Sequence, residues 1–346
     1  PLAFFDVGPD GWGKQILTAA FPTLALGMAE FLALGGDART GDLFFGPTPD
    51  GPATWDPMPP LGDTLQGEDD LERLGAAAAA FEEGTAGPGD YAVLFNSAAD
   101  VGGARPKGRF RSDGRSWIAK FPAAGDPFDD PRAEAVCLDL AERCGLEVPA
   151  RRLLTILNRT VLLVERFDRD AQGRRHSYLR AGTLLKESPT RYTTSKTYLD
   201  VAVTAGNIGV PKPRQEMYRR LLVNAFVHNT DDHLRNTAVI RVDGAWRFSP
   251  VFDVVPQRHG RHVLAPAPGL SPAHDVAAAI GSYRNFGLTR EEAGAIVEQV
   301  ASAMRSLPDR LEERAVTARD RAILRDLMAA CWNPPPFTPP NAAAPP

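Results

Sequence analysis

The chain has 346 residues, enough to bury a large hydrophobic core and to divide into two or more lobes. Its apolar fraction of 43% and its charged fraction of 24% are typical of a globular, water-soluble protein. The net charge is −4, from 39 basic and 43 acidic residues, which argues against a general attraction to nucleic acid.

The number and spacing of cysteines bear on the redox environment of the protein, and hydropathy bears on whether it spans a membrane. Cys137, Cys144 and Cys331 form an odd, sparse set without C-x-x-C spacing, which argues against a disulfide framework or a structural zinc site. A reducing, cytoplasmic environment is therefore expected. No apolar run reaches the roughly 18 residues that a membrane-spanning helix needs.

Residues 1–90 are predicted to form a small α/β subdomain. Apolar, helix-favouring sequence runs from Leu17 to Leu34 and stops at Gly35-Gly36. Residues 48–64 are rich in Pro, Gly and Asp and are predicted to form a loop. A run of alanines favours a helix over 71–83.

Residues 91–167 carry strand signals and are predicted to form a sheet-bearing lobe. YAVLF at 91–95 is a short apolar run, and a glycine-rich bend leads into a strand that ends at the turn 112–115. In the next strand, SWIAKF, alternation places Lys120 on a largely buried element.

Two interpretations of Lys120 stay open at this point. The simpler is an edge lysine whose ammonium reaches water. The other needs an acidic partner, and Glu134, near the start of a helix predicted over 131–144, supplies one. A strand lysine held by a helix glutamate is the arrangement that kinases use to hold nucleotide phosphates. Glu134 could instead favour the helix N-terminus, and Glu142 is a competing partner.

Two further strands, RLLTIL and TVLLVERF, follow. The second becomes polar at Glu165–Phe167, where a kinase would hydrogen-bond adenine through its backbone, but the pattern by itself favours an ordinary strand end. Residues 168–212 are polar with Gly and Pro, and the threonines around Thr193 are predicted to lie in a solvated loop.

The stretch from Asn229 to Asp253 contains the candidate catalytic and metal-binding residues. Asp231, His233 and Asn236 follow one another as D-x-H-x-x-N, and Asp243-Gly244 between two apolar runs predicts a β-hairpin. The hairpin returns a second acid, Asp253, within an apolar run. An acid and an amide on one loop, with another acid brought back by a hairpin, are typical of phosphoryl-transfer enzymes.

The remaining sequence predicts a mainly helical lobe over 168–333. An apolar stripe indicates a helix over 215–228, and Thr289 with Glu292 forms a capping box before another helix. A last helix is predicted from about Pro308 to Cys331. Residues 334–346 are proline-rich and are predicted to be disordered.

Taken together, GGARPK, K-F-P, ERFDR, D-x-H-x-x-N and the distal F-D, in that order, resemble the HipA family of bacterial toxin kinases. The resemblance covers nearly the whole chain except the proline-rich tail. It implies an α+β class: a bilobal protein-kinase-like fold with a small N-terminal α/β subdomain and a mainly helical C-lobe.

The resemblance also implies site residues, with ATP and Mg²⁺ as cofactors. Asp231 would be the catalytic base and His233 would support its loop, while Asn236 and Asp253 would hold Mg²⁺. The residues implied to contact the nucleotide are Gly102, Gly103, Ala104, Arg105, Lys107, Lys120, Glu165, Arg166 and Phe167.

Two positions depart from the family pattern. Where family members often carry a serine whose autophosphorylation inactivates the kinase, this chain has Asp100, and the nearest serine is Ser97. Either this control is absent, or Asp100 imitates part of it, or Ser97 takes it over. Asp232 replaces a small residue of the loop, so Asp232→Gly is expected to keep activity.

Three functions compete on this basis. The first is a Ser/Thr protein kinase that phosphorylates a cytoplasmic protein such as an aminoacyl-tRNA synthetase, partnered by an antitoxin of the HipB type through which alone it would contact DNA. The second is a lipid or small-molecule kinase, which the absence of a basic membrane-facing cluster disfavours. The third is a degenerate kinase that acts as a binding module.

Overall fold

A computed structural model describes residues 2–36, 38–46, 48, 65, 67–188, 195–273 and 275–337. Most of the predicted 48–64 loop, Thr193 with its neighbouring threonines, and the tail beyond Phe337 lie outside these residues. The chain divides into a first unit, Pro1–Arg132 with Pro149–Leu179, and a second unit, Ala133–Val148 with Arg180–Pro346. No described helix has the length and apolar character needed to cross a membrane.

The start of the first unit is helical rather than α/β. Among the described residues before 99, the structure has helices and no strand: α1 Ala3–Val7, α2 Gly11–Ala20, α3 Met28–Leu34, α4 Glu68–Glu82 and α5 Pro88–Ala98. The apolar stretch predicted as one helix is divided between α2 and α3, because Pro22 cannot continue α2. The alanine-rich helix is confirmed as α4.

The prediction of a strand at YAVLF was wrong. These residues belong to α5, which has Pro88 in its first turn and an Asp90 carboxylate that accepts the Gly87 N–H at 2.9 Å. Leu94 and Ala98, four positions apart, are both buried, as expected on the inner face of a helix. A short apolar run cannot separate helix from strand by itself, and the Gly-Pro start was the signal to weigh.

A four-stranded antiparallel sheet forms the rest of the first unit, in the order β1-β2-β4-β3. The strands are β1 Lys107–Ser112, β2 Arg115–Lys120, β3 Arg151–Ile156 and β4 Arg159–Glu165. The predicted turn between β1 and β2 is confirmed: Asp113 and Gly114 both have positive φ, 51° and 73°. Trp117 and Ala119 alternate into the core, where they pack with Phe110 and with Trp12 of α2.

The second unit is mainly helical and contains one short hairpin. Helix α6, Asp130–Arg143, runs from the first unit into the second, and the short strand β5, Ser177–Arg180, leads back to it. The further elements are α7 Ala181–Leu184, α8 Tyr198–Asn207, α9 Pro213–Phe226, β6 Ala238–Val242, β7 Ala245–Phe248, α10 Val276–Gly281, α11 Arg290–Met304, α12 Leu307–Glu313, α13 Ala318–Leu327 and α14 Ala329–Trp332.

Local signals explain several of these elements. The β6–β7 turn has positive φ at Asp243 and Gly244, and the capping box of Thr289 and Glu292 starts α11, as predicted. The polar stretch 168–212 contains α8, which begins at another capping box, formed by Thr197 and Asp200.

The last predicted helix is interrupted. Ala315 has a φ of 51°, which ends the helical path, and Thr317 then caps a new helix by accepting the Asp320 N–H. Beyond α14, the ring of Phe337 packs edge-on against Tyr283 with centroids 5.6 Å apart. The first residues of the proline-rich tail therefore contact the second unit.

Candidate active site

The D-x-H-x-x-N loop begins where α9 ends. His228 adopts a left-handed conformation with a φ of 54°, and the Asn229 N–H donates to the Asn224 carbonyl at 2.9 Å. This is how a helix commonly terminates with its last carbonyls satisfied. The loop that follows is therefore placed by the end of a buried helix rather than by a free linker.

Two adjacent acids in the loop have opposite environments. The Asp231 side chain is 55% exposed, whereas that of Asp232 is fully buried. The nearest imidazole nitrogen, Nε2 of His233, lies 3.4 Å from the Asp231 Oδ1. Of the two acids, Asp231 is the one that a molecule outside the loop can reach.

The electrostatic setting of Asp231 favours a proton acceptor. Partial burial raises the pKa of its carboxyl above the ordinary range, the nearby His233 opposes the rise, and the charge of Asp253 adds to it. A carboxylate with a raised pKa accepts a proton from a hydroxyl more readily than an unperturbed one.

Asn236 closes the loop on itself. Its side-chain nitrogen donates to the Asp231 backbone carbonyl at 2.9 Å, and its backbone N–H donates to the His233 carbonyl at 2.9 Å. A side-chain amide binds a hard cation through its oxygen, and the hydrogen bond made by the nitrogen leaves the Asn236 oxygen for that role.

The backbone of Asp253 is held by Glu134 of α6. It has a φ of 60°, a left-handed conformation that is uncommon outside glycine. Its N–H donates to Oε1 of Glu134 at 3.2 Å, and Glu134 is buried in α6. Glu134 was predicted as a partner of Lys120; the two residues belong to different units, and that pairing stays a prediction.

The residues predicted to hold Mg²⁺ fit a hard cation in chemical type. Asn236 and Asp253 offer oxygen ligands, and Mg²⁺ is usually bound through one or two carboxylates together with phosphate oxygens and waters. Within the described ranges, no three His, Cys, Asp or Glu side chains converge as a metal cluster.

The predicted nucleotide segment of the first unit contacts α2 through its backbone. The Trp12 N–H donates to the Gly103 carbonyl at 2.6 Å. A Cβ at Gly13 would lie 2.7 Å from the carbonyl oxygens of Ala99 and Val101, so only glycine permits this approach. Nothing in the sequence indicated a role for Gly11 and Gly13, the glycines that permit this contact.

Two lysines of this segment share one face of the sheet. Lys107 of β1 lies directly opposite Lys120 of β2, and the Lys107 ammonium lies beside Gly103. Side chains directly opposed in an antiparallel pair lie side by side on the same face. Arg105 is paired with Asp126 at 2.6 Å and with Asp130 at 2.9 Å.

The predicted adenine contact meets a constraint. The Glu165 N–H donates to the Ala150 carbonyl and the Arg166 N–H to the Ser116 carbonyl, at 2.8 and 2.9 Å. A hydrogen bond to adenine from either N–H would require one of these bonds to break. The third residue, Phe167, lies near the ring of Tyr178, with centroids 6.4 Å apart.

The Arg166 side chain has a structural role. Its guanidinium is buried, pairs with Asp168 at 2.9 Å and donates to the Ala38 carbonyl at 2.9 Å. The two arginines beside Asp168 overcome the cost of its burial and lower the pKa of its carboxyl. This cluster joins the end of β4 to the chain before residue 40.

Neither candidate regulatory residue is accessible. Ser97 is 1% exposed, inside α5. The Asp100 side chain is 1% exposed and accepts from the Arg109 Nε at 2.6 Å. Asp100 therefore belongs to a buried ion pair just before the nucleotide segment.

Sequence reasoning missed the residues that surround Asp232. They are Tyr198, Asn224, His262 and Val263, whose contacts are described below. Each of the direct contacts spans about thirty residues of sequence, and His262 on its own gave no signal. The one signal in the sequence was Asp232 itself, a charged residue at a position where the family has a small one.

Comparison with known proteins agrees with this architecture. A family model described as the HipA-like C-terminal domain matches residues 99–307. The chain is similar to the Shewanella oneidensis MR-1 toxin HipA, solved with HipB and operator DNA: the TM-score is 0.68 at 16% identity, over 95% of this chain and 84% of that one. No curated protein sequence gives a significant match.

A second similar structure is the proinflammatory kinase CtkA of Helicobacter pylori. Its TM-score is 0.50 at 14% identity, over 67% of this chain and 89% of that one. At such low identities the two structures show a shared fold. The family model covers more than half of the chain, and the chain therefore belongs to the family with a HipA-like C-terminal domain.

Proposed function

We propose that this protein is a kinase that transfers the γ-phosphoryl group of ATP to a serine or threonine hydroxyl of another protein. The observation that carries the proposal is the loop of the second unit. It presents the exposed Asp231 carboxylate, orients Asn236 beside it, and lies near enough to Asp253 for that charge to raise the pKa of Asp231.

Each residue has a role in the proposed reaction. Asp231 accepts the proton of the attacking hydroxyl, while His233, at 3.4 Å, stabilises the carboxylate. Asn236 and Asp253 would hold Mg²⁺, which neutralises charge on the phosphates when bound. Glu134 fixes the backbone of Asp253.

The first unit supplies basic groups that suit the phosphates. Lys107 and Lys120 face each other across β1 and β2, and Gly102, Gly103 and Ala104 provide backbone N–H groups with little side-chain bulk. We propose these residues as the nucleotide contacts of this unit.

The proposed context is a toxin–antitoxin pair. The Shewanella HipA structure was solved together with HipB and operator DNA. We propose a corresponding antitoxin partner for this chain, with DNA contact through that partner, and a cytoplasmic protein such as an aminoacyl-tRNA synthetase as the substrate. The net charge of −4 agrees with an indirect rather than a direct contact with DNA.

Three measurements test the kinase assignment. Mg-ATP at about 100 times its Kd should stabilise the purified chain by about 2.7 kcal/mol, and Asp253→Asn should remove the magnesium-dependent part. Mass spectrometry of a lysate incubated with protein and ATP should show new phosphoserine or phosphothreonine. Asp231→Asn should lower kcat by about 10²–10⁴-fold with little change in ATP affinity.

The matched control is Asp243→Asn, in the exposed β6–β7 turn, where asparagine suits the positive φ equally well. This variant should keep full activity. Phosphorylation of a lipid or metabolite in the same lysate, and not of protein, would support the alternative kinase class. No thermal shift with Mg-ATP would support a degenerate kinase that acts as a binding module.

A further inference from the structure

The carboxylate of Asp232 is fully buried in the second unit. Burial of a charged group is costly unless hydrogen bonds replace its water. Three groups provide them: the Tyr198 hydroxyl donates at 2.7 Å, the Val263 backbone N–H donates at 2.6 Å, and Nδ1 of His262 lies at 3.0 Å. Both carboxylate oxygens are used.

The contacts continue beyond Asp232. The Asn224 side-chain nitrogen donates to the Tyr198 oxygen at 2.8 Å, and the Asn229 side-chain nitrogen donates to the Asn224 oxygen at 3.0 Å. Burial and the neighbouring Asp232 carboxylate raise the pKa of Tyr198 well above its ordinary value, so the hydroxyl keeps its proton. The beginning and the middle of the loop are thus bonded to α8 and α9.

The segment after Asp253 runs beside the same loop. The Gln257 N–H donates to the His228 carbonyl at 3.0 Å, and the Thr230 hydroxyl donates to the His259 carbonyl at 3.4 Å. Together with the Val263 bond to Asp232, these contacts hold the residues on both sides of Asp231. The Asp231 backbone therefore has little freedom, and its side chain is directed outward.

We propose that Asp232 is a positioning residue, whose buried carboxylate joins α8 and the 262–263 segment to the loop and so fixes the direction of Asp231. This inference rests on the proposed kinase function. It also reverses the sequence-based expectation for Asp232→Gly: glycine would leave the Tyr198 and Val263 donors buried with no acceptor and would release the loop.

Two variants weaken the contacts with little change of shape. Asp232→Asn keeps one oxygen but turns an NH₂ group towards groups that already donate. Tyr198→Phe removes one hydroxyl, which donates to Asp232 and accepts from Asn224. The matched control is Asp139→Asn in α6, another largely buried acid of the same unit, which accepts from Arg314 at 2.7 and 2.8 Å.

Two readouts separate a positioning role from a general effect on stability. The first is amide hydrogen exchange of residues 229–236 in the full chain, which requires no activity. The second is label transfer from γ-labelled ATP to lysate protein, analysed as kcat and as KM for ATP. Exchange in the loop should accelerate in Asp232→Asn and, to a lesser extent, in Tyr198→Phe, but not in Asp139→Asn.

Displacing a catalytic group by about 1 Å can cost about a hundredfold in rate, so kcat of Asp232→Asn should fall by about that factor while KM for ATP stays close to wild type. The fold-decrease in kcat of the double variant, Asp232→Asn with Tyr198→Phe, should be smaller than the product of the two single fold-decreases. Both changes act on one set of contacts.

Unchanged exchange in Asp232→Asn would overturn the proposed contacts, and faster exchange with unchanged kcat would overturn the positioning role. An equal loss of kcat in Asp139→Asn would show that the loss in Asp232→Asn reflects lower stability alone. That result would also overturn the positioning role. A wild-type chain that transfers no label to any acceptor refutes the kinase function and the positioning role that depends on it. The exchange measurement would then still show whether Asp232 holds the loop.

Discussion

The buried ion pair between Asp100 and Arg109 allows a quantitative test of the first unit. The Asp100 side chain is 1% exposed and that of Arg109 is 8% exposed, with Nε and Oδ1 2.6 Å apart. Arg109 also donates to the Asn96 carbonyl, and the Asp100 charge acts favourably on Arg166 and Arg169 nearby. Asp100→Asn keeps the shape of the side chain, removes its charge and replaces one acceptor oxygen by an NH₂ group.

The expected loss is large because a buried guanidinium would lose its counter-ion. Breaking one partner of a buried pair costs about 3–5 kcal/mol, and we expect about 3 kcal/mol here, since asparagine keeps an acceptor oxygen. For a unit of this size, each kcal/mol lowers Tm by roughly 2–4 °C. The predicted decrease in Tm is therefore about 6–12 °C.

Thermal unfolding followed by circular dichroism and by tryptophan fluorescence measures this decrease, because Trp12 and Trp117 are buried in the first unit. The control is Asp113→Asn, whose pair with Arg152 lies at the surface with side chains 66% and 44% exposed, and which should change Tm very little. Equal effects of Asp100→Asn and Asp113→Asn would refute the argument from burial.

Three further predictions follow from burial and close contact. Ser97, 1% exposed within a helix, should carry no phosphate in the purified protein; stoichiometric phosphoserine at this position by mass spectrometry would contradict the described fold. Gly13→Ala should lower Tm and weaken Mg-ATP binding measured by calorimetry, because its Cβ would lie 2.7 Å from the carbonyl oxygens of Ala99 and Val101, just before the predicted nucleotide segment. Unchanged affinity would separate that contact from nucleotide binding. Burial raises the pKa of the Cys144 thiol to about 12, with Arg219 opposing the shift, so at about pH 8 the native protein should resist iodoacetamide at this residue and react only after unfolding.

Features encoded over a few residues could be predicted from the sequence. The turns at Asp113-Gly114 and Asp243-Gly244 have the positive φ values that their residue types favour, and Thr289 with Glu292 starts α11. The strand that carries Lys120 was predicted from alternation alone. In each case the signal and the structure that it determines lie within the same short segment.

Features that depend on distant residues could not be predicted. Glu134 contacts the Asp253 N–H across 119 positions, and Asp232 contacts Tyr198 across 34. YAVLF shows the same limit at short range, since its apolar residues suit either a strand or the inner face of α5. The spacing of Asp231 and Asn236 identified the loop, but only the fold shows that Asp231 is exposed and Asp232 buried.

The hydrophobic core of the first unit has a practical consequence for protein production. The family match begins at residue 99, yet Trp12, Ile16, Leu74 and Leu94 pack in one cluster with Phe110, Trp117 and Leu163 of the sheet. A shortened chain restricted to 99–307 would expose that apolar face of the sheet to water and should aggregate during expression. The segment that sequence comparison recognises is thus smaller than the segment that can fold, and recombinant fragments should include the helices before residue 99.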